Sequence, residues 1–233
     1  MIVYPRNWNK LKFKLEEQDV EFNPTTFIEL LSKILRELNV RNLAFSGGID
    51  STIILALMSE LFDEVNTFII TSRSNHPDAL FARIGSEKYK SKHHEIIYCP
   101  PWTDSTGDDA VKALFQNFDG EEIITCDGID ELAGGYYQHL KSLQGDNYIY
   151  FLRRLIPDHL IPLDKNSGVT RVFLPFLNSE VINILLRLPL SQKMDHQTRK
   201  IPIRKTAQKL GVPEEIIERN KYGFCDALRM NDK

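Results

Sequence analysis

Apolar positions fall at helical spacing over residues 25 to 38, "TTFIELLSKILREL", where Phe27, Leu30, Leu31, Ile34 and Leu35 share one face. Thr25 or Thr26 is the expected cap. The spacing then changes. "VRNLAFS" reads as a short buried strand, "STIILALMSELF" as a helix that follows it directly, and "VNTFIITS" as a second strand. Asn75-His76-Pro77 opens another helix, reaching about Lys90, because proline suits the first helical turn. "HHEIIYC", "GDDAVKALFQNF" and "EEIITC" continue the series as strand, helix and strand. Strands alternating with helices predict a parallel sheet covered on both faces.

After residue 145 the pattern turns helical. "NYIYFLRRLIPDHL", "SEVINILLRLP", "IPIRKTAQKLG" and "PEEIIERN" are separated by Pro157, Pro162, Pro175, Pro189, Pro202 and Pro213, and no strand is expected there. The predicted fold is α/β, a doubly wound and mainly parallel sheet with a C-terminal helical region. The predicted division is 1–145 for the α/β domain and 146–233 for the helical region.

Composition narrows the function classes. The 42% hydrophobic and 26% charged residues are those of a soluble globular protein. A net charge of −3 leaves no footprint for nonspecific nucleic-acid binding. No apolar run approaches the roughly 20 residues of a membrane-spanning helix. The opening "MIVYPRNWNKLKFKLEEQ" lacks the apolar core of a secretory signal. Cys99, Cys126 and Cys225 are odd in number and far apart, as reduced thiols of a cytoplasmic protein would be.

Between two apolar segments stands Ser46-Gly47-Gly48-Ile49-Asp50-Ser51. A strand, a glycine turn and a helix in succession aim free backbone N–H groups and the positive helix end at one point, which binds an anion without a basic side chain. Gly47 and Gly48 let the backbone curl around phosphate oxygens, while Ser46 and Ser51 offer hydroxyls. Asp50 would repel phosphate unless Mg²⁺ lay between them, and Mg²⁺ favours one or two carboxylates plus phosphate oxygens. The loop is neither a GxxxxGK[ST] nor a GxGxxG turn. It resembles the SGGxDS loop of the N-type ATP pyrophosphatases, which implies an adenine-nucleotide alpha-hydrolase-like fold and a seat for the β,γ-pyrophosphate of ATP.

"EIITCDGIDELAGGYYQH", residues 122 to 139, repeats the logic at the end of the fourth strand, with Asp127, Gly128, Asp130 and Glu131 in one turn. Ligands of parallel sheets bind at the carboxyl ends of strands, so both loops should face one crevice and present Asp50 and Asp130 to a shared metal–pyrophosphate. With SGGIDS, "DGIDELAGGY" is similar to the synthetase domain of asparagine synthetase and its β-lactam synthetase relatives. "HPDALFARIGSEKYKSKHHEIIY", "TRVFLPFLNSEVINILLRLP" and "RKIPIRKTAQKLGVPEEIIERNKYGF" match further family segments in the same order.

The resemblance implies a two-step amide synthesis. A carboxylate attacks the α-phosphorus of ATP, pyrophosphate leaves, and an amine displaces AMP from the acyl-adenylate. Asp50 and Asp130 would hold Mg²⁺, and Lys221 would set a cation on the α-phosphorus. Asp127 would orient or deprotonate the amine.

Three departures from the family pattern stand out. Asp127 replaces a glutamate and Cys126 a glycine. Asn178 replaces the aspartate of PFLD. Aspartate is therefore one candidate acid among others. The glutamine-dependent members begin Met-Cys on a whole glutaminase domain, whereas this sequence begins Met1-Ile2 and only a short segment precedes Ser46. Nitrogen is then expected from free ammonia, a separate glutaminase subunit or an amine on the substrate. Two other readings are a different pyrophosphatase-loop enzyme, such as a tRNA-modifying one, and a nonenzymatic ATP-binding subunit. His93 and His94 are adjacent in a strand, point to opposite faces and should not share an ion.

Overall fold

The computed structural model describes residues 1–5, 7–14, 18, 20–98, 107–141 and 145–219. Its strands are β1 (Ile2–Tyr4), β2 (Asn42–Ala44), β3 (Asn66–Thr71), β4 (Lys92–Ile97), β5 (Glu122–Ile124) and β6 (Arg171–Phe173). They form one sheet in the order β1-β6-β5-β2-β3-β4, with every neighbouring pair parallel. The first helices are α1 (Pro24–Leu38), α2 (Ile49–Leu61), α3 (Pro77–Lys88) and α4 (Gly107–Gln116). After β5 come α5 (Ile129–Ala133), α6 (Tyr137–Lys141), α7 (Gly145–Leu155) and α8 (Ile161–Asn166), the last two joined by a π-helical turn that holds Pro157. After β6 follow α9 (Ser179–Arg187), α10 (Leu190–Lys193), α11 (Ile201–Lys209) and α12 (Glu214–Glu218).

The expectation of a strand-free C-terminal region is corrected by β6. Its three residues are too few to show period-2 alternation, and they run straight into Leu174 and Pro175. Their place is nonetheless central. Val172 pairs with Ile123 on one side and Ile2 on the other, and is fully buried. The β1 strand, another three-residue piece, forms the sheet edge beyond it. The start of α1 also differs from expectation. Asn23, not a threonine, is the cap: its side-chain oxygen accepts from the N–H groups of Thr25 and Thr26, with Pro24 at the first helical position.

The core explains why α2 has no polar face. From Asp50 to Met58 every residue is buried, because the helix is enclosed by the sheet, α1 and α11. At roughly 25 cal/mol per Å² of apolar surface, such all-round burial stabilises the fold more per residue than a helix with one solvent face would. One apolar cluster runs from Ile2 through Leu43 and Ile124 to Val172, Leu185 and Ile216, spanning both halves of the chain.

Strand order places the ligand crevice. From β2 the chain steps outward through β3 to β4, then returns to β5 on the other side of β2. At such a reversal the loops leaving the two central strands diverge, one over each face of the sheet, and a crevice opens between them. Here those loops are residues 45–48 and 125–128.

Candidate functional site

The loop after β2 is shaped by Gly47 and by the unfilled start of α2. Gly47 has a φ of 64°, and a Cβ there would stand 2.3 Å from the backbone nitrogen of Ala82, so the loop can hug α3 only as glycine. Gly48 is the N-cap of α2 and supplies no side-chain cap. The hydroxyls of Ser51 and Thr52 turn back to donate to the Gly48 carbonyl, at 3.2 and 2.8 Å, and the Ser46 Oγ accepts a long bond from the Gly48 N–H. The first N–H groups of α2, beginning at Ile49, therefore face the crevice without a side-chain cap, as an anion-binding helix end requires.

The loop after β5 presents its carboxylates differently. Thr125 donates to Asp127 at 2.6 Å, so Asp127 is held by its own loop. Gly128, with φ at 91°, is the N-cap of α5, and Asp130 lies in the first turn. The structure brings Asp130 and Asp50 to one point. The Lys200 ammonium stands 2.6 Å from Asp50 Oδ2 and 2.7 Å from Asp130 Oδ1, with side-chain exposures of 7% for Lys200, 9% for Asp50 and 20% for Asp130. Gly135 makes room for this triad, since a Cβ there would fall 2.0 Å from Asp130 Oδ1 and 2.4 Å from Lys200 Cε.

Beneath Asp130 the loop rests on a buried aromatic layer. The Tyr136 hydroxyl donates to Glu131 at 2.5 Å, and its ring stacks on Phe151 at 4.6 Å. Burial, then the charge of Asp130, pushes the Glu131 carboxyl above the usual range. The Tyr136 hydroxyl is pushed up as well, first by burial and then by the Glu131 charge. His139, fully buried, accepts from the Tyr136 N–H, and burial pushes its pKa down to about 4. Tyr148 fastens the layer to α5 by donating to the Leu132 carbonyl at 2.7 Å.

Cations close the crevice from the C-terminal side. Lys200 is the N-cap of α11 and has a left-handed backbone, with φ at 55°. Arg199 donates to the Gly135 carbonyl at 2.6 Å and lies 3.5 Å over the Tyr137 ring. Arg219 pairs with buried Asp78 at the start of α3, donates to the Ser46 and Gly47 carbonyls at 3.3 Å each, and stacks on Phe81. Arg199, Lys200, Arg204 and Arg219 line one cavity with Gly48 and Ile49.

Lys200 and Arg219 were not among the expected site residues. The available signal was slight: the basic pairs Arg199-Lys200 and Arg204-Lys205 stand close together, in a chain that also carries Arg153-Arg154. Lys221 lies outside the described residues. His93 and His94 do separate: His93 bonds Thr67 at 2.9 Å, while His94 stacks on Phe68 at 4.6 Å. Asn178 caps α9 through its oxygen, accepting from the Glu180 N–H at 2.8 Å, and its amide donates to the Tyr4 hydroxyl. Among the described residues no helix is long and apolar enough to cross a membrane.

The chain is similar to known proteins. The model of the asparagine synthase family matches residues 40–126 and 149–232. The chain is 24% identical over 222 residues to the glutamine-hydrolyzing asparagine synthetase of Gallus gallus, covering 78% of this chain and 39% of that one. It is 23% identical over 218 residues to the Bos taurus enzyme of the same description, covering 78% and 39%. The chain thus spans well under half the length of these relatives. The structure of NMN synthetase from Francisella tularensis superposes with a TM-score of 0.52 at 15% identity, covering 90% of this chain and 79% of that one, and shares the fold.

Proposed function

The chain belongs to the asparagine synthase family, and from that premise we propose that it is an ATP-dependent, AMP-forming ligase that adenylates a carboxylate and passes the acyl group to ammonia or an amine. The observation that carries this reading is the convergence of Asp50 and Asp130 on one cation, beside the uncapped start of α2. Two carboxylates reaching a single positive atom suit a Mg²⁺ ion that completes its shell with phosphate oxygens and water. Among the described residues there is no cluster of three or more His, Cys, Asp or Glu that would suit a metal caged by protein alone.

In this reading Ser46 to Ser51 cradle the β,γ-phosphates with backbone N–H groups, and Asp50 and Asp130 hold the metal. The metal, when bound, neutralises charge on the departing pyrophosphate. Arg219, seated on the loop carbonyls, and Arg204 add positive field along the phosphate chain. The substrate carboxylate oxygen attacks the α-phosphorus and pyrophosphate leaves. The amine nitrogen then attacks the acyl carbon, AMP departs, and the amine proton passes to Asp127. Lys221 supplies the cation for the α-phosphoryl oxygens.

Product analysis tests the proposal. The protein is incubated with Mg-ATP, ammonia and a panel of carboxylates that includes aspartate, with Asp50→Ala as control. AMP and pyrophosphate appearing with one acid and falling about 1000-fold in the variant is the expected result, the scale of one lost transition-state contact. ADP and phosphate instead would rule out adenylation. ATP left intact across the panel favours a nucleotide-binding subunit.

A further inference from the structure

Lys200 holds the position at which Asp50 and Asp130 converge, and the reading above gives that position to a metal. We propose that Lys200 is a displaceable cation: its ammonium neutralises the two carboxylates in the nucleotide-free protein and yields the place to the divalent ion when nucleotide arrives. The inference rests on the assignment of Asp50 and Asp130 as metal ligands and adds an order of binding to it.

Charge balance gives the reason. Two carboxylates drawn together in a largely buried site repel each other unless a cation lies between them. The ammonium donates to Asp50 Oδ2 at 2.6 Å and stands at ion-pair distance, 2.7 Å, from Asp130 Oδ1. A divalent ion entering alone would have to displace a buried ammonium and enter a cavity lined by Arg199, Arg204 and Arg219, the last two of which hold Glu218 and Asp78. Metal entering with the triphosphate brings anionic charge for the freed ammonium and for the arginines. Metal binding is therefore coupled to nucleotide binding, and an adventitious ion is kept off the carboxylates between turnovers.

The backbone supports the same role. Lys200 adopts a left-handed conformation at the mouth of α11, which a non-glycine residue holds only at an energetic cost. That conformation sends an unbranched, flexible side chain across the crevice to the far wall. Such a side chain relocates by rotamer change, without movement of α11.

The test is Mn²⁺ binding without nucleotide, followed by electron paramagnetic resonance of the free ion, on wild type and Lys200→Met. Expected is weak binding of Mn²⁺ alone to wild type and at least tenfold tighter binding to the variant, with the gain abolished by adding Asp130→Asn. Mn²⁺ should also raise the melting temperature of Lys200→Met more than that of wild type, which a merely structural ion pair would not produce. Should Lys200→Met fail to fold, Lys200→Gln keeps a polar but uncharged side chain at the position and should show the same tightening. Equal Mn²⁺ affinity in wild type and a folded Lys200 variant, with Mn²⁺ still binding in the presence of ATP, overturns the inference alone. No Mn²⁺ binding even with ATP overturns the metal assignment of Asp50 and Asp130 and the inference with it.

Discussion

One wall of the crevice, built by the loops after β2 and β5, offers carboxylates and backbone N–H groups. The other, built by residues 199–219, offers guanidinium and ammonium groups. The first wall carries recognisable motifs, yet a triphosphate meeting it alone would face two uncompensated carboxylates. The second has the charge but no backbone cradle. Each wall is chemically incomplete, and the contacts between them, Lys200 with Asp50 and Asp130 and Arg219 with Asp78, make the site. On the proposed reading a loop motif reports where phosphate would sit, while the cation that meets its carboxylate comes from a segment 150 residues further along the chain.

Breaking the joint from the cationic side should have the largest effect. Arg219 and Asp78 have side-chain exposures of 4% and 6%, so Arg219→Ala leaves a buried carboxylate without its guanidinium. Loss of one partner of a buried pair costs about 3–5 kcal/mol, to be read from urea denaturation. Arg219→Lys should recover only part of it, because one ammonium cannot serve Asp78 and the two loop carbonyls together. A loss under about 1 kcal/mol for Arg219→Ala, the range of an exposed pair, would mean that the walls are not coupled there.

A second break lies beneath the acidic wall. Folding lowers the His139 pKa from 6.5 to about 4, because burial disfavours the imidazolium. The unfolded chain then binds the extra proton first, so stability falls as pH drops from about 6.5 towards 4 and levels off below, by about 3 kcal/mol in all. His93, pulled down by burial too, acts in the same direction, whereas Glu131, pushed up by burial, acts in the opposite one. The measurement is therefore a difference: urea midpoints at pH 7.5 and 5 should diverge less in His139→Gln than in wild type. Equal divergence in the two proteins would show that His139 titrates normally in the fold.

The acidic wall and its strands were legible because each signal is local. The glycine turn between an apolar strand and an apolar helix dictates its own geometry, and β2, β3, β4 and β5 fall where hydrophobic runs predict them. Switch-point topology then brings Asp50 and Asp130 together without further information. What stayed hidden depends on tertiary partners. β6 is three residues long and is a strand only because Ile123 and Ile2 flank Val172. Lys200 looks like any helix-flanking lysine until α11 is packed against α2. The apolar periodicity begins only at Phe27 and so points to a threonine cap, although Asn-Pro ahead of an apolar stripe is itself a start signal for Asn23.

The finest comparison is at Asn178, where the family pattern carries aspartate. Either side chain can accept from the Glu180 N–H and cap α9, and the carboxylate gains from the helix dipole. The amide alone donates to the Tyr4 hydroxyl on β1, but that hydroxyl can reverse and donate to a carboxylate instead. The two gains and losses nearly cancel, so Asn178→Asp should change stability by less than about 1 kcal/mol. Asn178→Ala, which removes the cap outright, should cost about 1 kcal/mol or more, read from thermal melts of both variants. If the two substitutions cost the same, the cap contributes nothing, and Asn178 is held by its contact to the edge strand.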